Sequence, residues 1–427
     1  MTQAGPAESP PPAGAGARSA GQSLLSGGRA DAFSAVLLAF VAMQTVGIAL
    51  IPVVAPFLQD HYHLSDAQIG LLTSAFALAV ALMSIPMGLA TARWGGRTLL
   101  IAAALFLAGS LVFAAADSYT WFLVGRFIQG MGAGAGMPVG TALITHLVAP
   151  KSRHRAFGLF GAGTGVGTVA TLLVMPSIAA AGGYHAVFIA AAVFAVALAA
   201  AAVSLKALRS RPAWSDAQTV GALLRALGKA ALNPGVLLMA VMNLTVVAVV
   251  VGVLTWTPQF LHDMHGASLA MAAYLTAAIG LSQAFGNPAG AGSMTRWSRN
   301  RVLVVGLALL AVTTALIPVW PGIAATFIAV IATTFVAGAM LPPSLAIVAD
   351  VVHGNEAVGA ATGLIGLLNV VGSMLAPWVF GVLLDTYGTA PGDSGYTAGY
   401  AMLAAFAVAG FAAAVAYALL RRRTVQG

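Results

Sequence analysis

The sequence has no cysteine, and only 7% of its 427 residues are charged, against 60% that are hydrophobic. Without cysteine there can be no disulfide, no thiolate nucleophile and no thiolate metal site. The shortage of charge excludes an ordinary water-soluble domain, in which about 25% of residues are charged. With a mean hydropathy of +0.94, the solvent for most of this chain is lipid. Carboxylates are missing where a membrane protein would most notice them. All 11 Asp and Glu residues fall in tails, loops or the ends of apolar runs. Paired acids and bases, a nucleophile with its base, and metal clusters are likewise absent from the apolar runs, which argues against an enzyme, and no cofactor is expected.

What the chain does have is a series of apolar runs long enough to cross a bilayer, each of which needs about 20 residues. Twelve can be drawn, near 33–58, 67–91, 98–116, 119–148, 155–181, 184–206, 235–261, 270–294, 302–319, 322–350, 357–385 and 396–420. With these spans in place, every Lys and Arg of the 19 except Arg126 lies on one side, and the segments on the other side have none. Translocated loops shed cations, so the basic side is read as the cytoplasm, with both termini there and the protein multi-pass in the cytoplasmic membrane. The net charge of +8 is accounted for by these scattered lipid-facing anchors. No loop has the aromatic-interleaved basic surface that binds nucleic acid.

The expected architecture is all-α, with twelve transmembrane helices in two six-helix bundles. Residues 1–32, rich in Ala, Gly, Pro and Ser, read as a disordered cytoplasmic tail. Residues 33–206 form the first bundle, 207–234 a cytoplasmic linker, 235–421 the second bundle and 422–427 a short tail. Within the linker, residues 220–232 place apolar residues on one face and cations on the other, which suits either a surface helix or a solvated connection. The halves are repeats. Phe57-Leu58 recurs as Phe260-Leu261 and Arg93-Trp94 as Arg296-Trp297, both at an offset of 203 (260 − 57 and 296 − 93), and Gly163 and Gly366 keep the same offset.

Three segments carry a family resemblance. The loop after span 2 runs from Gly88 through Ala92, Arg93, Gly95 and Gly96 to Arg97. Span 4 contains Arg126-Phe-Ile-Gln129-Gly130-Met-Gly132-Ala-Gly134, and span 11 contains Gly363, Asn369, Gly372, Pro377, Gly381 and Asp385. Over residues 33–420 the chain resembles the major facilitator superfamily of secondary transporters. The resemblance departs at Ala92, where the family usually has an aspartate, and the matching position of the second half is Thr295.

The resemblance implies alternating access. The two bundles would rock about a site near the bilayer midplane, lined by spans 1, 4, 7 and 10. Arg126, Gln44, Gln129, Asn243 and Trp256 are then the candidate substrate-cavity residues. Gly88, Arg93, Gly95, Arg97, Arg296 and Arg301 are the candidate gating-loop residues. Arg126 is the most demanding of these, since a cation at mid-span costs from about 3 to above 10 kcal/mol on different scales. It either faces a cavity and attracts an electron-rich solute, or bonds the carbonyls of a neighbouring span.

Other polar features carry weaker readings. Asp31 is read as a helix cap, and no carboxylate stands out as a proton-coupling group. Gly158, Gly161, Gly163, Gly165 and Gly167 lack the Lys-Ser/Thr of a phosphate loop and read as close helix packing. His61, His63, His262 and His265 read as solvated interfacial residues, with no metal assigned. The expected protein is a monomeric carrier of a small solute, anionic or neutral, in contact with membrane lipids. The competing reading is an exporter of lipophilic compounds with an apolar cavity (Phe33, Met43, Met242, Trp256). A non-transporting receptor or scaffold is a remoter third.

Overall fold

The computed structural model describes residues 24–205, 208, 220–320, 322–352 and 355–426. Most of the expected tail, 1–23, and much of the linker therefore lie outside the described residues. Apart from a single bridge between Leu25 and Val148, all regular structure among the described residues is helical. Hydrocarbon offers no partner for a backbone N–H or C=O, so a lipid-exposed segment must satisfy both within itself.

Spans 1 to 3 are α1 (Gly28–Tyr62), α2 (Asp66–Trp94) and α3 (Arg97–Ala114). Span 4 is broken into α4 (Tyr119–Ala133) and α5 (Gly136–Leu147). Span 5 is α6 (Pro150–Gly161) continued by the first half of α7 (Gly163–Ser204). The second half of α7 is span 6, reached through non-helical backbone at Gly182 and Gly183. Gly183 has φ +62°, a conformation that a residue with a Cβ adopts only under strain, so the hairpin between spans 5 and 6 can be this short. The linker contains α8 (Val220–Ala231). Spans 7 to 12 are α9 (Pro234–His265), α10 (Leu269–Ser293), α11 (Arg299–Leu316), α12 (Ile323–Val351), α13 (Asn355–Tyr387) and α14 (Gly395–Gln426).

Nine helices among the described residues are long and apolar enough to cross a bilayer by themselves. The continuous stretch Pro150–Ser204 is one of these and supplies two spans. The broken span 4 and α10 complete the twelve.

The first helix starts at Gly28, earlier than its apolar pattern, and the chain before it is held in place. Leu25 exchanges backbone hydrogen bonds with Leu147 (2.8 Å) and Ala149 (2.9 Å) at the end of span 4. Asp31 is not the cap of this helix, since Gly27 occupies that position. Asp31 instead pairs with Arg155 of span 5 at 3.1 Å. The linker helix α8 buries Leu227 and Ala230 and exposes Arg225 and Lys229. Its apolar stripe rests on span 11.

Spans 1 to 6 pack chiefly among themselves, as do spans 7 to 12. Each half ends in an aromatic cluster at the end free of cations. In the first half this is Tyr62, Phe113, Phe122, Tyr184 and Phe188; in the second it is Trp256, Phe260, Phe380, Tyr396 and Tyr400. Among the described residues the halves are joined mainly by spans 2 with 11, 5 with 8 and 1 with 7. Among the described residues, spans 4 and 5 have no comparable packing on spans 10 and 11. The halves therefore meet toward the cation-free end.

Candidate transport site and closed end

Arg126 is fully buried, one turn above Gln129 on span 4. Its Nε donates to the Leu72 carbonyl of span 2 at 3.2 Å, and Nη1 donates to Gln129 Oε1. Gln129 is held in turn by donating to the Ser110 hydroxyl of span 3 at 2.9 Å, and Ser110 donates to the Phe106 carbonyl at 2.7 Å. The guanidinium carbon lies 4.3 Å from the centre of the Phe76 ring, a cation–π contact. The tip of that ring rests against Gly47 of span 1, where a Cβ would collide with it. Nη2 has no partner among the described residues. Neutral dipoles and an aromatic face thus stabilise this cation, and the two N–H groups of Nη2 remain unused.

The second polar centre closes the cation-free end. Ser65 and Gln68 form a capping box at the start of span 2, which satisfies two of that helix's free N–H groups. The next two, Asp66 N and Ala67 N, donate at 2.8 and 2.9 Å to the carboxylate of Asp385, which belongs to span 11 in the other half. The Asp66 carboxylate, itself 8% exposed, accepts from Gln59 of span 1 at 2.7 Å and from Gln259 of span 7 at 2.9 Å. Further along, the Ser74 hydroxyl donates to the Met374 carbonyl at 2.5 Å, and Ser177 and Tyr274 share a hydrogen bond of 3.1 Å between spans 5 and 8. The backbones touch here, because a Cβ on Gly70 would meet the Pro377 carbonyl and one on Gly381 would meet that of Asp66.

The Major Facilitator Superfamily profile matches residues 33–289 and 264–427. The chain belongs to the major facilitator superfamily. It is 25% identical to the hexuronate transporter of Bacillus subtilis, over 89% of this chain and 94% of that protein. It is 30% identical to the probable nitrate/nitrite transporter NarK2 of Mycobacterium tuberculosis, over 81% and 86%. Its match to the Escherichia coli inner membrane transport protein YajR is local, 33% identical over 29% of this chain and 27% of that protein. Among solved structures, a bacterial homologue of the human lysosomal transporter Spinster, inward-facing and occupied, superposes with a TM-score of 0.72. That match is 21% identical and covers 91% of this chain and 96% of the other, so it speaks to the fold alone.

As a superfamily member the protein is a multi-pass membrane transporter of a small molecule. Of the five residues expected to line one cavity, Arg126, Gln129, Asn243 and Trp256 bond partners within their own halves. Arg126 and Gln129 bond each other inside the first half. Trp256 is fully buried in the second half, where its indole N–H donates to the Pro377 carbonyl at 3.0 Å and its ring stacks on Phe380. Asn243, 7% exposed, donates to Met239 O at 3.0 Å and accepts from Ser344 of span 10 at 3.2 Å. Gln44 is half-buried on span 1. Phe33, Met43 and Met242 are core side chains, which removes them as the wall of an apolar cavity in this conformation.

The residues expected to form gating loops occupy the basic end. Arg93, Arg97, Arg296 and Arg301 are exposed, Gly88 is half-buried beside Pro138, and Gly95 has φ +57° in the turn after span 2. Of the histidines at the cation-free end, His262 Nδ1 pairs with the nearby Ala267 carbonyl (2.7 Å), and His265 Nε2 reaches Thr326 of span 10 (3.1 Å).

Sequence reasoning missed Phe76, Ser110, Asp66 and Asp385. The Ser65-x-x-Gln68 spacing signals a helix start, but nothing local says that its remaining donors face a carboxylate 319 residues away.

Proposed function

We propose that this protein carries a small anionic or neutral solute across the cytoplasmic membrane by alternating access, with Arg126 as the group that attracts it. The supporting observation is the Arg126 environment, a buried guanidinium with no carboxylate bonded to it among the described residues and with both N–H groups of Nη2 unpartnered. A planar fork with a donor to spare suits carboxylate or nitrate oxygens. Phe76 covers the guanidinium toward span 1 and would swing aside as the solute arrives. Hexuronate and nitrate, the solutes in the names of two relatives that match over most of this chain, are both anions. The cation distribution orients the molecule with its basic end and both termini in the cytoplasm. In that orientation the Asp66–Asp385 end faces outward, and the conformation described is closed to the outside.

The test is exchange by the purified protein in liposomes, with labelled nitrate, a hexuronate, small monocarboxylates and a neutral sugar. Arg126→Lys keeps the charge but loses the fork. Its expected result is at least a tenfold rise in KM for the anion carried, about 1.4 kcal/mol, in a variant that still folds and inserts. Normal anion exchange by this variant would sink the reading.

An apolar exporter is the second reading. It is favoured by a crevice of about 400 Å³ between spans 2, 4 and 11, lined by Leu71, Leu78, Leu123, Phe127 and Met374 among others. A match to the tetracycline resistance protein, class C, of Escherichia coli also favours it, at 34% identity over 37% of this chain. Unaltered anion exchange together with changed drug tolerance in Arg126→Lys would select that reading.

A further inference from the structure

We infer that the Asp385 carboxylate is a latch between the two halves, holding the cation-free end shut by capping span 2 across the interface. A helix start leaves N–H groups that its own backbone cannot satisfy, and in a membrane protein those groups demand partners. Span 2 satisfies Gln68 N and Ser65 N from within, through the capping box. Asp66 N and Ala67 N are satisfied only from the other half, each by a different oxygen of Asp385. The carboxylate therefore sits at the positive end of the span 2 dipole, which strengthens both bonds. Asp66 then points its own carboxylate at Gln59 and Gln259, so the same residue is tied to span 11 by its backbone and to span 7 by its side chain.

The repeat shows that this latch belongs to one side of the interface. At the offset of 203, Ser65 corresponds to Ser268 (268 − 65), and Ser268 likewise caps the start of span 8 through Met271 N at 3.2 Å. The position matching Asp385 is Gly182 (385 − 203) and that matching Asp66 is Leu269 (66 + 203), so the pair of spans 5 and 8 has no equivalent carboxylate. There the halves are joined at this end by the Ser177–Tyr274 hydroxyl pair, which carries no charge. Opening the cation-free end must break the Asp385 bonds and leave two N–H groups to water. The capping box remains and keeps the start of span 2 helical, so the element moves as a unit.

The chain has no cysteine of its own, which allows introduced cysteines to report on each end separately. Spin labels at His61→Cys and Tyr387→Cys measure the cation-free end, and labels at Trp94→Cys and Trp297→Cys the basic end, in the full chain reconstituted in lipid nanodiscs. Asp385→Asn keeps the shape but removes the charge and one acceptor. Expected are longer distances at the cation-free end and shorter ones at the basic end, with the closed population falling about tenfold relative to the open one.

Ala67→Pro deletes one of the two donors from the opposite partner, at a helix position where proline is tolerated. It should shift both distances in the same directions, and combining it with Asp385→Asn should add less than the sum of the two. Unchanged distances in both variants overturn the latch. So does widening at both ends together, which would mean general loosening. The readout is distance and not transport, so it stands or falls separately from the identity of the solute.

Discussion

Among the described residues Arg126 is held by neutral groups, with no carboxylate bonded to it. Three kinds of neutral group surround it: the Leu72 carbonyl, the Gln129 amide, itself fixed by Ser110, and the Phe76 ring. The links are unequal. Gln129→Leu leaves Nη1 of a charged group buried without a partner, and the expected cost is about 2 kcal/mol. Ser110→Ala removes a neutral bond between helices, with an expected cost of about 0.6 kcal/mol. Thermal unfolding of the two variants in detergent checks this order, and an equal or reversed ranking would contradict the described arrangement. The sequence identified Arg126 and Gln129, because a cation in an apolar run is costly wherever it points. Ser110 and Phe76 were not identifiable, since a serine and a phenylalanine in a membrane helix are ordinary until folding places them beside a charge.

Spans 2 and 11 owe their contact to missing side chains. An Ala methyl at position 70 would sit 2.8 Å from the Pro377 carbonyl carbon and 3.0 Å from the Trp378 Cα, and backbone atoms cannot rotate out of the way. Gly70→Ala is expected to push the two spans apart, at about 1–3 kcal/mol, and to slow exchange in liposomes at least tenfold. Gly158 has nothing within 4 Å of a Cβ, so Gly158→Ala is the control and should stay within about twofold of the parent. Equal rates for the two variants would remove the steric argument. The glycine run from Gly158 to Gly167, read from sequence as one packing stripe, divides in the structure. Gly163 faces Leu38 and Gly167 faces Ala42, whereas Gly158 and Gly161 meet nothing. Spacing along a helix shows which residues share a face and leaves open what that face touches.

For the whole molecule, the cation bias makes the orientation testable. A cysteine introduced at Asp393, in the loop between spans 11 and 12, is expected to react with a membrane-impermeant maleimide in intact cells. One introduced at Arg97 should react only after permeabilisation. The reverse pattern would invert the orientation and with it the side to which this conformation is closed. The two halves match in sequence at a common offset and match structurally in their cap serines and their terminal aromatic clusters. They differ where the interface carries charge, because Asp385 has no counterpart in the first half.

By itself the sequence determined the environment, the number of spans, the family and the one cation that the bilayer must tolerate. Those follow from hydropathy, charge and short motifs, which act on a residue together with its neighbours in the chain. Only the tertiary structure decided that Arg126 is stabilised by spans 2 and 3, that Trp256 bonds within its own half, and that the halves meet at the cation-free end through Asp385. Each of these is an encounter between segments far apart in sequence. In lipid a buried donor without an acceptor is costly, and the packing of the helices selects which acceptor each one finds.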